Sequence, residues 1–346
     1  MFARFTAMSN TPYHFYGNLC LLFFIMLSST FSSADTEIQV TISESKIKQF
    51  QVLVDTHRLT RTSGKQMGNL PDMKFDLVVS DDGRAIPSKR GLQVTQSKYW
   101  DILFEPGSWY LRDQKVNIVL PMALVGKGEN CTHQGIMIIE NNSASYQIAT
   151  ETCQYFQFNA LGGTKIEVTT KKTNNSAIVK TAYVSEINNR LPEKSIDDIG
   201  EDYPNLNPTV FSQLDYVQSS SMTAFGTVLK GTHYVSNCAT RASAFPDCSH
   251  MPLPAYSLAK SIIGGIGLMR LEALNPGVKD ILVKDLVPEC SAWGTITLKH
   301  LLDNTTGRYG SSQPHSDENK HLIPFLNKTS AQAKTKHACN RYKVKK

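Results

Sequence analysis

The sequence predicts an α+β protein with an N-terminal all-β, sandwich-like domain and a C-terminal domain in which strands and helices mix. Three observations predict this fold class. Short apolar runs typical of strands fill the first half of the chain, residues 191–212 are rich in proline and acidic residues, and long helical patterns begin only after residue 255. The chain has 346 residues, which at roughly 150 residues per domain corresponds to about two domains.

The composition is that of a folded protein without a strong charge bias. Hydrophobic residues make up 41% of the chain and charged residues 19%, which excludes global disorder. The net charge of +6 is small for this length. We therefore expect no nucleic-acid partner.

The first 34 residues have the pattern of a secretory signal peptide. Arg4 is their only lysine or arginine, and Leu19–Leu27 is a short apolar run. Two small residues, Ser32 and Ala34, stand at the positions that a signal peptidase recognises. The alternative is a membrane anchor, but the run is about half of the ~20 residues that a spanning helix needs. We expect an exported protein, periplasmic or secreted, with no stable membrane span after residues 1–34 are removed.

Six cysteines follow the signal peptide, and an even number in an exported chain predicts disulfides. They are Cys131, Cys153, Cys238, Cys248, Cys290 and Cys339. Pairing of sequence neighbours is our hypothesis, since the first two bracket an apparent hairpin and the next two flank a short loop. No Cys-x-x-Cys spacing occurs, so we expect neither a metal site nor a cofactor.

Residues 35–190 read as the β-domain, because eight short runs are rich in β-branched and aromatic residues and several alternate apolar with polar positions. The runs are TEIQVTI, FQVLV, KFDLVV, WDILF, VNIVL, GIMII, YQIAT and KIEVTT. A sandwich is the natural interpretation. Trp109, Tyr110, Tyr155 and Phe156 could line a carbohydrate or peptide site, but aromatic residues on strands are more often core.

Residues 191–212 contain Pro192, Pro204, Pro208 and five acidic residues, which predicts a solvated interdomain linker. Beyond it, two β-rich runs flank Lys230-Gly231, the signal of a hairpin.

A helix is predicted from Tyr256 to Leu274, and its apolar residues cover most of its circumference, as in a buried helix. Its three glycines, Gly264, Gly265 and Gly267, should each cost about 1 kcal/mol relative to alanine, so we expect a closely packed neighbour there. A second helix is predicted over 297–303.

Ser257 and Lys260 form a Ser-x-x-Lys motif at the start of the first helix, where a spacing of three places both side chains on one face. A serine hydroxyl is a weak nucleophile and needs a base or a cation beside it, and a lysine in apolar surroundings can serve. The motif alone is not specific, because Ser43 with Lys46 and Ser45 with Lys48 also satisfy it.

The segment LPAYSLAKSIIGGIGLMRLEAL, followed by KDLVPE and TITLKHLLDNTTG, resembles the serine β-lactamase and penicillin-binding-protein superfamily, in particular its class C and esterase-like branch. The resemblance covers about residues 253–310. It implies a partial α/β serine hydrolase domain over 213–346, with Ser257 as the acylated nucleophile and Lys260 as its activator. It further implies that the Ser257 N–H forms half of an oxyanion hole and that His300 has a structural role.

The family also needs a Tyr-x-Asn or Tyr-x-Ser motif and a Lys-Thr-Gly or His-x-Gly strand well downstream. Tyr309-Gly310-Ser311 fits the first literally but comes too early, and Tyr342 leads directly into the final residues. We therefore expect a C-terminally truncated domain with little activity. Without the missing strands, the apolar helix face would be exposed.

Two functional hypotheses remain. The first is an exported hydrolase that acts through an acyl-enzyme on a D-alanyl peptide, a β-lactam, or a small ester or amide. The second is a non-catalytic secreted binding protein with a degenerate hydrolase domain. In both, the expected partner is a small molecule or a peptide.

Overall fold

The computed structural model describes residues 35–56, 58–113, 115–127, 131–150, 153, 155–171, 175–211, 217–309, 324–325, 328, 330–342 and 344–345. The signal peptide expected over residues 1–34 lies outside them. The fold is broadly α+β, and a nine-stranded antiparallel sheet forms its largest part.

The large sheet takes in almost all of the first half of the chain. Its strands are β1 (Thr36–Asp55), β2 (Met73–Val79), β3 (Arg84–Pro87), β4 (Trp100–Phe104), β5 (Gly107–Arg112), β6 (Lys115–Gly126), β7 (Thr132–Glu140), β8 (Ser143–Ala149) and β9 (Phe156–Thr170). All eight sequence-predicted runs lie on these strands to within one residue. The first two runs are parts of the single long strand β1.

The nine strands form one sheet that closes on itself, so the predicted sandwich of two packed sheets is wrong. The strands follow the order β4-β6-β5-β3-β2-β1-β9-β8-β7, and β7 pairs again with β6. β1 makes this closure possible because it pairs with β9 along most of its length, with register shifts that include one between Ser43 and Lys46. Such irregularities bend and twist a strand.

The core of this closed sheet is aromatic and aliphatic. Trp100, Phe104, Phe156 and Phe158 are fully buried. Trp109 and Tyr155 pack against the same core. Tyr110 is instead 44% exposed. The expectation that the four aromatic residues singled out from the sequence belong to the core is therefore confirmed for three of them, and Tyr110 is the exception.

Helices were not predicted before residue 256, yet several occur. A short helix α1 (Thr60–Ser63) follows β1. The longer α2 (Ser176–Asn188) lies within residues 35–190, which the sequence predicts to be an all-β domain. Val179, Tyr183 and Ile187 recur at every fourth position, which places them on one helix face. That face covers a cluster on the sheet formed with Val78 and Ile86.

The predicted linker is also structured in its first part. β10 (Glu193–Ser195) pairs in parallel with β12 (Thr232–Val235), and α3 (Ile199–Asp202) follows it. Ile196 and Ile199 are buried against Tyr234. The sequence predicts a solvated linker here because acidic residues and prolines surround these two apolar residues, which are three positions apart.

The predicted hairpin is present. β11 (Gly226–Leu229) pairs antiparallel with β12. Lys230 and Gly231 connect the two strands with φ values of 47° and 84°. Positive φ at both central residues is the signature of the tight turns that suit hairpins.

Most of the other helical elements follow the predicted motif in the sequence. They are a π-helical segment Lys260–Ile266, α4 (Gly267–Leu274), α5 (Val283–Leu286), α6 (Leu298–Leu302) and α7 (Ala331–Arg341). The two-residue strands β13 (Arg308–Tyr309) and β14 (Val344–Lys345) pair with each other. Within the described ranges, no helix has both the length and the apolar character needed to cross a membrane.

Three disulfides each join two cysteines that follow one another in the order of cysteines along the chain, as hypothesised. The Cα–Cα distances are 5.3 Å for Cys131–Cys153, 5.6 Å for Cys238–Cys248 and 4.9 Å for Cys290–Cys339, within the usual disulfide range. The last of them ties α7 to the segment after α5, where Cys290 and Cys339 share a small core with Trp293.

Candidate functional site

Ser257 and Lys260, which we call the dyad, are in direct contact. Lys260 Nζ donates a hydrogen bond to Ser257 Oγ at 3.0 Å. Both residues are exposed to solvent. The spacing of three residues therefore has the geometric consequence that the sequence predicted, and the serine oxygen has a lysine amine beside it.

The chain turns sharply just before the dyad. Tyr256 has a φ of 46°, a conformation that is unusual for a bulky residue and is often found at functional sites. The Leu258 N–H donates to the Ala255 carbonyl at 3.0 Å, and the Lys260 N–H donates to the Ser257 carbonyl at 3.0 Å. Ser257 thus lies in the first helical turn, where backbone N–H groups have no intrahelical acceptor.

The helix after Ser257 begins at Leu258 and continues through the π-helical segment and α4 to Leu274, and we call it the dyad helix. Single π-helical turns occur often at functional sites. The wide turn contains the Gly264-Gly265 pair. Neither Tyr256 nor the π-helical turn was anticipated from the sequence, because no residue pattern marks them.

The two competing Ser-x-x-Lys motifs lie on β1 and lack this geometry. Ser45 Oγ donates to the Tyr146 hydroxyl at 3.1 Å and accepts from the Leu70 N–H at 2.9 Å. In the described part of the chain, neither Lys46 nor Lys48 donates to the serine of its motif. A helix is needed to bring the two side chains together, and β1 is a strand.

The dyad helix is exposed, so the prediction of a buried helix is wrong for the described structure. Leu258, Ile262, Ile263, Ile266 and Met269 are each at least half exposed, and Ile263 reaches 73%. The apolar surroundings expected for Lys260 are therefore missing from the described residues. The helix carries the sequence pattern of a buried element, and none of the described residues forms a surface that covers it.

The close neighbour expected at the glycines is also absent among the described residues. A Cβ at Gly264 or Gly267 would meet nothing within 4 Å. A Cβ at Gly265 would lie 3.7 Å from Leu302 Cδ1, an ordinary contact. The glycines therefore leave space beside the helix that none of the described residues fills.

The second motif block supports the dyad helix from α6. The Thr297 hydroxyl accepts from the His300 N–H at 3.3 Å, and His300 Nδ1 accepts from the Thr297 N–H at 3.1 Å. This reciprocal arrangement caps the start of α6. His300 thus has a structural contact, in keeping with the role that the resemblance implied. Leu302, at the end of α6, reaches Gly265.

A charged cluster fixes the other end of the dyad helix. Glu272 accepts from the backbone N–H groups of Gly277 at 3.0 Å and Lys279 at 2.9 Å, and from Lys279 Nζ at 2.6 Å. The Lys279 side chain and these two N–H groups lower the pKa of Glu272 to about 2. Gly277 lies at the turn with a φ of 95°.

The two downstream tyrosines lie on or beside other elements. Tyr309 lies on β13, and Gly310 and Ser311 of its motif are outside the described residues. Tyr342 follows α7 and packs against the core that contains Cys290. No group of three or more His, Cys, Asp or Glu residues that could hold a metal ion occurs among the residues described.

Comparisons with protein-family models, with curated proteins and with solved structures found no match for this chain. The functional interpretation therefore depends on the geometry of the dyad and on the sequence motifs around it.

Proposed function

We propose that the protein is an exported serine hydrolase that works through an acyl-enzyme, related to the serine β-lactamase and penicillin-binding-protein superfamily. The observation that carries the proposal is the 3.0 Å hydrogen bond from Lys260 Nζ to Ser257 Oγ. It lies at a helix start and beside the capped helix α6. The three disulfides are compatible with export.

The chemistry follows from the atoms at the dyad. Ser257 Oγ attacks a carbonyl carbon, and Lys260 Nζ in its neutral form takes the hydroxyl proton. The carbonyl oxygen becomes an oxyanion, which the Ser257 N–H stabilises. Collapse of the intermediate expels the amine or alcohol, to which the Lys260 ammonium returns the proton. Water then releases the acyl group and restores Ser257.

The substrate class comes from the resemblance alone: a D-alanyl peptide, a β-lactam, or a small ester or amide. The exposure of the dyad argues for slow turnover, because water competes for the charges that develop during attack and weakens their stabilisation. We therefore expect little activity from the 346-residue chain.

A non-catalytic secreted binding protein is the second candidate. The exposed dyad helix favours it, because a surface of contiguous apolar side chains is typical of an interaction site.

Hydrolysis of p-nitrophenyl butyrate and of a chromogenic cephalosporin tests the choice. The serine hydrolase proposal predicts slow release of product that Ser257→Ala abolishes and Lys260→Ala lowers by about 10²-fold or more. Ser43→Ala is the matched control, since it removes a Ser-x-x-Lys serine from a strand, and its rate should equal that of the parent chain. Equal rates in the parent chain and Ser257→Ala would instead favour the binding protein.

A further inference from the structure

A cleft on the closed sheet, remote in sequence from the dyad, is not used by the proposed hydrolase chemistry. It has a volume of about 560 Å³, within the range of small-molecule sites. We call it the polar cleft. Its lining includes Glu37, Asp76, Ser88, Gln93, Thr95 and Lys171.

The polar cleft contains a buried carboxylate. Glu37 is only 4% exposed. Its side chain accepts a hydrogen bond from Ser88 Oγ at 3.2 Å, and its backbone carbonyl accepts from the Lys171 N–H at 2.8 Å. The sheet pairing between β1 and β2 places Glu37 opposite Val78. A rigid strand therefore presents this carboxylate to the cleft.

Gln93 supplies a second polar group, and its side-chain amide is open to the cleft. The residue is 7% exposed, and its backbone exchanges hydrogen bonds with Ile102 at 2.8 and 3.1 Å. Across the whole described structure, no group hydrogen-bonds to its side-chain amide. The amide is not among the fully buried side-chain groups that lack a partner in the described residues, so solvent reaches it through the cleft. A ligand in the cleft can therefore donate to and accept from this amide.

The charges around the polar cleft balance. Three acidic residues line it, and so do three lysines, Lys74, Lys89 and Lys171. Lys171 Nζ forms an ion pair with Asp76, whose other carboxylate oxygen accepts from Gln39 Nε2 at 3.1 Å. A cleft with equal numbers of both signs has no strong field for a cation or an anion.

Two apolar residues, Phe75 and Met73, belong to the lining of the polar cleft. Phe75 is 4% exposed and stacks on Phe104 with ring centroids 4.3 Å apart. Met73 lies beside it on β2. The ligand must therefore combine many hydrogen-bonding groups with a C–H surface. Carboxylates, amides and hydroxyls together match groups that both donate and accept.

We propose that the polar cleft binds a neutral, hydroxyl-rich ligand of the size of a mono- or disaccharide. Sugar hydroxyls can donate to Glu37 and both donate to and accept from the Gln93 amide. The C–H face of the ring would lie against Met73, which is only partly buried. This site is independent of the dyad, so its failure would leave the proposed hydrolase chemistry untouched.

Saturation-transfer NMR with the 346-residue chain tests the proposal, using cellobiose, maltose and N,N′-diacetylchitobiose as probes. We expect at least one of them to bind with a Kd below about 10 mM. Gln93→Ala should weaken that binding about tenfold, since one hydrogen-bonded buried group is lost. Gln49→Ala is the matched control, because Gln49 is exposed on β1 and does not line the cleft.

Gln96→Ala provides a second variant that folding cannot confound, since Gln96 is exposed at the cleft. It should weaken binding by at least about twofold. The proposal is overturned if none of the three sugars binds, or if binding is unchanged in Gln96→Ala and in a folded Gln93→Ala. Displacement of the sugar by D-alanyl-D-alanine at equal concentration would also overturn it, since that result indicates a zwitterion site.

Discussion

Lys260 Nζ lies 3.0 Å from Ser257 Oγ, and both side chains are open to solvent. The first fact gives the serine a lysine amine as its hydrogen-bond partner. The second leaves the pair without the water-free surroundings in which such a partner is most effective. The chain thus has the local geometry of a nucleophile and lacks, in its described part, the enclosure of a pocket. This combination explains why we expect Ser257-dependent chemistry that is slow.

The exposed face of the dyad helix leads to a prediction about stability. Ile263→Ala should change the free energy of unfolding by no more than about 0.5 kcal/mol, because the side chain is 73% exposed. Ile102→Ala is the matched control, since Ile102 is fully buried in the closed sheet, and it should cost about 2–5 kcal/mol. Urea denaturation measures both. A cost for Ile263→Ala as large as for Ile102→Ala would mean that the helix is covered in solution.

The disulfides should stabilise the chain to different extents. Cys290–Cys339 closes a separation of 49 residues and Cys238–Cys248 a separation of 10. Loop-closure entropy then predicts losses of about 4 and about 3 kcal/mol when each pair is replaced by serine. Denaturation without reductant compares the two double variants. A larger loss from the shorter loop would contradict the assignment of Cys290–Cys339 as the link that holds α7.

A buried chain of polar groups connects α2 with the segment after the hairpin. His250 is 5% exposed, and its ring nitrogens lie 3.0 Å from Asp247 Oδ2 and 3.4 Å from the Tyr183 hydroxyl. Arg84 also pairs with Asp247, at 3.7 Å. Burial raises the pKa of Asp247, but the His250 hydrogen bond and the His250 and Arg84 charges outweigh it and hold the pKa below 3.8.

A carboxyl group whose pKa is lower in the folded than in the unfolded state stabilises the fold at pH values above its unfolded-state pKa. This stabilisation is lost as the pH falls through its folded-state pKa. Asp247→Asn should therefore cost about 1–2 kcal/mol at neutral pH, and this difference should shrink as the pH falls below 3.8. Thermal denaturation across the acid range measures it. Asp285→Asn is the control, because Asp285 is exposed. A difference for Asp247→Asn that stays constant down to the lowest pH would contradict this explanation.

Glu272 gives a prediction that needs no unfolding. Its carboxyl should titrate near its lowered pKa of about 2 rather than near 4.5 in carbon-detected NMR. Lys279→Met should move the pKa upward, though not fully, since the two backbone N–H donors remain. Lys299→Met removes a lysine that pairs with Asp303 instead, and should leave Glu272 unchanged. Titration of Glu272 at an ordinary value would show that this end of the dyad helix is frayed.

The sequence was most informative where a local pattern decides the structure. Strand alternation located the eight predicted runs, and Lys230-Gly231 located the hairpin, because side-chain period and turn conformation are set by neighbouring residues. The dyad contact followed from the same kind of argument. The helix α2 was also readable in principle from the spacing of Val179, Tyr183 and Ile187.

Features that depend on distant partners could not be read in this way. Closure of the sheet depends on the register between β6 and β7, which no local pattern encodes. The apolar circumference of the dyad helix predicts a covering surface, and Ile263 is nonetheless exposed. The polar cleft joins residues from β1, β2, the loop that contains Gln93, and the end of β9, so only the folded chain reveals it.

Covalent labelling of Ser257 tests the central claim most directly. The chain is incubated with a fluorophosphonate and the adduct is located by peptide mass spectrometry, with Ser257→Ala, Lys260→Ala and Ser43→Ala in parallel. Our account predicts a slow, time-dependent adduct on Ser257 that is lost in Ser257→Ala, weakened in Lys260→Ala and unchanged in Ser43→Ala. An adduct that persists in Ser257→Ala, or no adduct on the parent chain after prolonged incubation, would contradict the assignment of Ser257 as a nucleophile.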